Sequence, residues 1–288
     1  MPTGPYGALL DAVRGVRWPA ARRVMGATLG AHPSQLRGNS SEFSEFRPYR
    51  QGDDPRRVDW RLLARSDRAY VRLTTDRATF RTSMIVDASA SMAFPLPGLD
   101  KWRLARELAV GLAAVAHAEA DPVGLAIAGS DQAVFAPRAR RSVLREMMRA
   151  LDATSPAGST AIAPFVASAR ASRIVVITDL LGDADELLAA AALRVASKGE
   201  IIVVHIVATE ELNPPDEAVL AVDPEQPAMR RLLDGEMRAR YRDAFSRWID
   251  EMATAARAAG IRYVRAPTTE AAPHLVRRIA GETARRGA

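Results

Sequence analysis

The chain has 288 residues, 48% of them apolar and 26% charged, with no cysteine and a formal net charge of +6. That composition excludes a disordered chain, and the lack of cysteine excludes a disulfide framework, a thiolate nucleophile, a zinc knuckle and an iron–sulfur cluster together. Any metal must be held by oxygen or imidazole, and the length allows one full α/β core with a smaller appendage.

The first residues, MPTGPYGALLDAVRGVRW, have neither a basic start followed by an apolar block nor a small-residue cleavage site. No run of about 18 apolar residues follows, so the sequence predicts a cytoplasmic protein without a membrane span. Of the 40 basic residues 38 are Arg, a bias that coding-base composition alone can produce. Location says more: between Arg47 and Arg81 ten Arg face five Asp, so this stretch carries +5 of the total. Residues 1–80 cluster Gly, Pro, Ser and charge and show one convincing strand, AYVRLTT at 69–75. They read as an N-terminal elaboration ahead of a main domain over 81–288.

From Ser83 onward, short β-branched runs alternate with alanine-rich helical stretches, which predicts crossover connections and a mainly parallel α/β sheet. The first strand is SMIVDA at 83–88. A helix over Lys101–Ala118 repeats Leu104, Leu108, Leu112 and Val115 as one apolar stripe. VGLAIAG at 123–129 and QAVFAP form two strands joined by a short turn, one of them antiparallel. Helices are expected near 142–151 and 161–171, a strand RIVVITDL at 173–180, a helix near 184–197 and a strand EIIVVHIVA at 200–208. These apolar runs lack polar alternation, as strands covered on both faces do. A long helix after Pro227 steps through Leu233, Met237, Tyr241, Phe245, Trp248 and Met252, read as core packing. IRYVRAP at 261–267 is an edge strand, and Glu270–Arg285 a closing helix.

In an open α/β sheet the ligand site lies outside the carboxyl ends of the strands, near the switch in strand order. The polar residues collect there. Asp87, Ser89 and Ser91 end the first strand as D-x-S-x-S, Gly158, Ser159 and Thr160 open a later helix, and Thr178 and Asp179 end RIVVITD. Strand alternation points the odd residues one way, so two serine oxygens can bind a hard cation such as Mg²⁺ while Asp87 and Asp179 bind it or hold its waters. Two carboxylates against a double charge leave the ion open to an outside anionic ligand.

D-x-S-x-S, a threonine in a Gly/Ser loop and T-D at a strand end resemble the metal-ion-dependent adhesion site of von Willebrand factor A domains. The resemblance implies that Asp87, Ser89, Ser91, Thr160 and Asp179 hold Mg²⁺, with Mn²⁺ or Ca²⁺ as alternatives. It also implies a doubly wound, mainly parallel six-stranded sheet with helices on both faces, and metal-bridged binding of a partner's Asp or Glu without catalysis. A second segment, from Gly38 to Asp76 and including NSSEFSEFRPYRQGDDPRRVDWRLLARSDRAYVRL, resembles the signature of the bacterial family called domain of unknown function fifty-eight. Members carry this block just before a von Willebrand-like domain, so the two resemblances together span about residues 30–285. They are commonly partnered with MoxR-type AAA+ ATPases, which implies an adaptor or co-chaperone that helps mature other proteins. Many members carry transmembrane helices ahead of the block, whereas this sequence leads to the expectation of a free cytoplasmic adaptor.

The Arg/Asp block has two readings. Glu42, Glu45, Asp53, Asp54 and Asp59 interleave with Arg47, Arg50, Arg56, Arg57, Arg61 and Arg65, a pattern that builds a hydrogen-bonded network with Phe43, Phe46, Tyr49 and Trp60 as anchors. The same arginines suit docking of an acidic partner through bidentate contacts. A nucleic-acid module using Arg47–Arg81 with Tyr49, Trp60 and Tyr70 is the alternative class, disfavoured by the interleaved Asp. A Mg²⁺-dependent phosphohydrolase at Asp87 is a further one, disfavoured because D-A-S lacks a second Asp. Ser89 and Ser91 have no G-x-S-x-G elbow, and His32, His117, His205 and His274 lie where no base is needed. The nucleotide-cradling glycine loops are missing too, so ATP hydrolysis belongs to a partner.

Overall fold

The computed structural model describes residues 4–19, 29–33, 43–51, 53, 55, 58–74, 77–78, 80–129, 133–217, 219–225 and 228–281. They fall into two compact units, one holding residues 4–19 with 81–281 and the other lying within Ala20–Phe80. Helix α1 (Gly7–Ala12) opens the first unit and packs with the sheet domain, with Tyr6, Leu9, Val13 and Trp18 all buried. Arg173 fixes the end of this segment: its guanidinium donates to the Trp18 and Pro19 carbonyls at 3.3 and 3.2 Å and lies 4.3 Å from the Trp18 ring centre.

Within the smaller unit, β1 (Leu29–Pro33), β2 (Phe43–Pro48), α2 (Trp60–Ser66), β3 (Tyr70–Thr74) and β4 (Arg77–Ala78) form two antiparallel pairs, β1 with β4 and β2 with β3. Only β3 was expected. In β2 the register shifts between Phe43 and Glu45, and the extra residue breaks the period-two pattern by which a strand is recognised. Asp59 caps α2, accepting from the Arg61 and Leu62 amides at 3.0 and 2.9 Å. Asp53 accepts from the Arg47 guanidinium at 2.7 Å and the Arg50 amide at 2.8 Å. Two of the expected anchors are not anchors: Trp60 is 63% exposed and Tyr49 38%, and Val58 and Val71 are buried instead. Arg65 is exposed, and Glu42, Asp54, Arg56 and Arg57, together with the side chains of Phe43, Glu45 and Phe46, lie outside the described residues.

The sheet domain runs β5 (Thr82–Asp87), α3 (Asp100–Ala118), β6 (Val123–Ala128), β7 (Ala133–Arg138), α4 (Val143–Ala153), α5 (Ala163–Ser168), β8 (Arg173–Thr178), α6 (Ala184–Ala196) and β9 (Glu200–Val207). A connector follows with α7 (Thr209–Leu212), β10 (Val219–Val222) and β11 (Arg230–Leu233), and then α8 (Gly235–Ala258), β12 (Arg262–Pro267) and α9 (Ala272–Gly281). Six strands make one sheet in the order β12-β9-β8-β5-β6-β7, parallel except for β7 against β6.

Both faces are covered, because successive strand residues point to opposite sides. Met84, Val86, Leu125 and Val175 pack with Leu104, Leu108 and Leu112 of α3 and with Leu275, Val276 and Ile279 of α9. Ile85, Val176 and Val203 pack on the other face with Leu187 and Ala191 of α6 and Ala256 of α8. The expected stripe on α3 is fully buried, and each such side chain contributes about 1.5–3 kcal/mol.

Two helices differ from expectation. Helix α5 is confined to Ala163–Ser168, because the Ser172 and Arg173 amides donate to the Arg81 carbonyl and draw the chain into β8. Helix α8 begins at Gly235 rather than near Pro227, since Asp234 caps it through the Met237 amide at 2.9 Å and Leu233 ends the β10–β11 hairpin. Its first turns are not core: Met237 is exposed, and Tyr241, Phe245 and Trp248 are half-buried and stack on one another, with centroids 5.5 and 5.6 Å apart. Farther along, the helix buries Ile249, Ala253 and Ala256 in the core, and Trp248 and Met252 pack half-buried against it.

Gly124 is fixed by close approach of β7. A Cβ there would lie 2.6 Å from the Phe135 carbonyl oxygen and 2.8 Å from the Pro137 nitrogen. Gly124→Ala is therefore expected to reduce the free energy of unfolding by about 1–3 kcal/mol, read as a lower urea midpoint at unchanged slope.

Candidate functional site

The sheet switches direction between β5 and β8: β6 and β7 extend to one side, β9 and β12 to the other. At the carboxyl ends of these two central strands the neighbouring connections part, and the crevice between them collects polar side chains. Asp87 is the last residue of β5 and Asp179 follows the last residue of β8. Asp87, Ser89, Ser91, Thr178 and Asp179 are all buried.

Hydrogen bonds set their geometry. Asp87 Oδ1 accepts from the Ser89 amide at 2.9 Å and its Oδ2 accepts from the Thr178 hydroxyl at 2.7 Å, which joins the two strand ends. Ser89 Oγ and Ser91 Oγ lie 3.0 Å apart. Strand alternation is not what aligns them: β5 stops at Asp87 and Ala90–Ala93 forms a 3₁₀ turn that folds Ser91 back. The facing loop is held by two backbone bonds, Ala157 N–H to the Ala88 carbonyl at 3.0 Å and Ala90 N–H to the Gly158 carbonyl at 2.8 Å. Gly158 makes that turn with φ of 67°, in the left-handed region that favours glycine. Thr160 thereby reaches the wall of a pocket of about 220 Å³ shared with Asp87, Ser89, Thr178 and Asp183. Asp183 secures the far wall, accepting from the Ile162 and Ala163 amides at 3.1 and 3.3 Å.

Sequence reasoning missed the cation already in place. Lys101, in the first turn of α3, is fully buried and donates to Asp179 Oδ2 at 2.8 Å; its ammonium also pairs with Glu211 of α7. Burial works against that charge, but Asp179 and Glu211 outweigh it and hold the Lys101 pKa above its ordinary value. Asp179 Oδ1 accepts from the Leu181 amide at 3.2 Å. Asp179 is thus turned toward Lys101, while Asp87 faces the serines and the pocket. Glu225, from the β10–β11 connection, also lines the pocket, 3.5 Å from Ser91 Oγ. A lone lysine in a helix and a glutamate in a short connector carry no local pattern that marks them; the only signal was that Lys101 is one of two lysines in an arginine-rich chain.

Burial, and then the charge of Asp179, push the Asp87 pKa up to about 6, against hydrogen bonds from Thr178 and Ser89 that lower it. A cation beside Asp87 would relieve that penalty. The donors that face the pocket are oxygens, which suits a hard divalent cation taking about six oxygen ligands and keeping some waters. Among the described residues no three Asp, Glu or His side chains converge as a metal cage. The hydroxyls of Ser89, Ser91 and Thr160 would therefore have to supply much of the set, with Asp87 as the nearest charge. The buried His205 is not a ligand: its Nδ1 contacts the Tyr263 hydroxyl at 2.5 Å, and its ring packs edge-on to Trp248.

The architecture defines the class: an α/β protein with a mixed, mostly parallel six-stranded sheet and an oxygen-rich crevice at its switch point. The chain belongs to the family described as Protein of unknown function DUF58, which it matches over residues 45–255. It is 27% identical over 218 residues to Uncharacterized protein Rv1480 of Mycobacterium tuberculosis and to Uncharacterized protein Mb1516 of Mycobacterium bovis, covering 72% of this chain and 68% of each relative. Among solved structures it is similar to the conserved hypothetical protein BatB from Bacteroides thetaiotaomicron, with 16% identity and a TM-score of 0.44 over 70% of this chain and 98% of that one. It is also similar to an aerotolerance-related membrane protein from Bacteroides fragilis, with 18% identity and a TM-score of 0.45 over the same shares. Among the described residues of this chain no helix is long and apolar enough to cross a membrane.

Proposed function

We propose that the chain is a von Willebrand factor A-like adaptor that binds an acidic residue of another protein through a divalent cation, Mg²⁺ first, at a metal-ion-dependent adhesion site. The observation that carries this reading is that Asp87 and Ser89 at the sheet's switch point line one open pocket with Thr160, with the Ser91 hydroxyl 3.0 Å from that of Ser89. In this reading Asp87, Ser89, Ser91 and Thr160 hold the ion, and Asp179 acts from behind through the field it places on Asp87. The ion supplies an electrophilic coordination position for a carboxylate. The residues supply the rest: Thr178 fixes the Asp87 rotamer, Lys101 holds the Asp179 carboxylate in place, and the 157–160 loop sets the width of the opening.

The protein acts by binding rather than turnover, and the partner is a MoxR-type AAA+ ATPase or its client, which the adaptor helps to mature. An ATP-consuming partner places the pair in the cytoplasm. Calorimetry of the whole chain with Mg²⁺ and Mn²⁺ tests the site, and capture of a purified MoxR-type ATPase with and without EDTA tests the use made of it. Asp87→Ala is expected to abolish ion binding and EDTA-sensitive capture while the protein stays folded. Absence of heat from either ion with the wild-type chain, or capture indifferent to both EDTA and Asp87→Ala, would overturn the reading. The nucleic-acid alternative has one observation of its own, the exposed Trp60 beside exposed Arg61 and Arg65. It requires salt-steep oligonucleotide binding that ignores Mg²⁺.

A further inference from the structure

The connector between β9 and α8 contributes two carboxylates to the crevice. Its first turn gives Glu211 to Lys101. Its hairpin gives Glu225, whose amide donates to the Asp223 carboxylate at 2.8 Å in a turn that fixes the backbone beneath the side chain. Glu225 Oε1 then lies 3.5 Å from Ser91 Oγ, too long for a strong hydrogen bond, and lines the same pocket as Asp87, Ser89 and Thr160.

Electrostatics make this an unfavourable resting place for a bare carboxylate. Glu225 shares the pocket with the carboxylate of Asp87, and a third carboxylate, Asp223, holds the Glu225 amide. The buried cation of the crevice, Lys101, is engaged by Asp179 and Glu211. An oxygen anion held beside two serine hydroxyls and Asp87 becomes favourable once a positive charge sits among them. Among its described side chains the hairpin has little apolar packing: Leu220 and Leu232 are 56% and 60% exposed, and Val222 and Met229 are exposed as well. A segment with so little buried surface opens at low free energy.

We propose that Glu225 is an additional ligand of the cation site, a carboxylate from the chain itself that takes the position an outside Asp or Glu would take, so that the β10–β11 hairpin is a removable cap. This rests on the ion-binding reading above. A partner carboxylate enters by displacing Glu225, and the hairpin lifts with it.

The test uses Mn²⁺ alone as probe on the whole chain, by calorimetry and by water-proton relaxation, with glutarate added afterwards as a free dicarboxylate. Glu225→Gln is expected to weaken Mn²⁺ binding on the order of tenfold, to raise the number of exchanging waters on the bound ion, and to let glutarate bind the loaded protein more tightly than it binds loaded wild type. If Asp87→Ala abolishes Mn²⁺ binding while Glu225→Gln leaves affinity, hydration and glutarate binding at wild-type values, the cap is wrong and the ion site stands. If the wild-type chain itself binds no Mn²⁺, both readings fall.

Discussion

Lys101→Met is expected to lower the free energy of unfolding by about 3–5 kcal/mol at neutral pH, because it strands two buried carboxylates. The ammonium is fully buried, donates to Asp179 at 2.8 Å and pairs with Glu211, and Phe94 covers it with its ring centre 5.7 Å away. Methionine matches the length and apolar stem of lysine, so the loss reports charge rather than volume. A second substitution separates the two partners: Lys101→Met with Glu211→Gln removes one of the stranded charges and should recover part of the loss. A double-mutant cycle by urea denaturation then gives the coupling directly. A loss below about 1 kcal/mol in the single variant, the range of exposed ion pairs, would mean that water reaches the crevice floor and that Lys101 is not its internal counter-ion.

The second large effect is a loss of stability in mild acid that belongs to His205. Burial first, then the charge of Lys101, lowers its pKa from 6.5 to about 4 despite the opposing charge of Asp179. The folded state therefore favours the neutral ring, whereas the unfolded chain takes up a proton near pH 6.5. Stability from this group is complete above pH 6.5 and is lost as pH falls toward 4. A displacement of this size corresponds to about 3 kcal/mol. His205→Gln changes packing against Trp248 and Tyr263 at every pH, so the informative quantity is the difference in stability between pH 7 and pH 4.5. That difference should shrink in the variant. Parallel curves for the two proteins would assign the acid sensitivity to the carboxylates and leave His205 without a part in it.

The sheet could be read from the chain because its strands are buried on both faces, and unbroken apolar runs such as RIVVIT and EIIVVHIV, six and eight residues long, fall short of the length a buried helix needs. The strand-end placement of Asp87 and Asp179 could be read because polar residues close such apolar runs, whereas the 3₁₀ turn that brings Ser91 back beside Ser89 has no comparable signal. The hairpin could not. Val219–Val222 and Arg230–Leu233 are four residues each, and Leu233 happens to continue the spacing of Met237 and Tyr241, so a helical period extends falsely backward across the Asp234 cap. Lys101 and Glu211 were illegible for a different reason. A charged side chain on a helix is ordinarily solvated, and only the meeting of α3, β8 and α7 in space turns these two into one buried pair with Asp179. In the smaller unit, Trp60 misled because an aromatic in a charged stretch invites burial, yet the helix it begins leaves it outside.

The middle position of β5 has a bearing on biosynthesis. Of the six sheet strands it leaves the ribosome first, yet it is flanked in the finished sheet by β6 and β8, and β8 closes beside it only after Thr178 has been made. The serines following β5 therefore emerge long before the wall they face, and the connector bearing Glu225 comes later still. Translation order therefore makes the crevice a late assembly relative to β5, whose two walls meet only after β8 and the connector that follows it have been added.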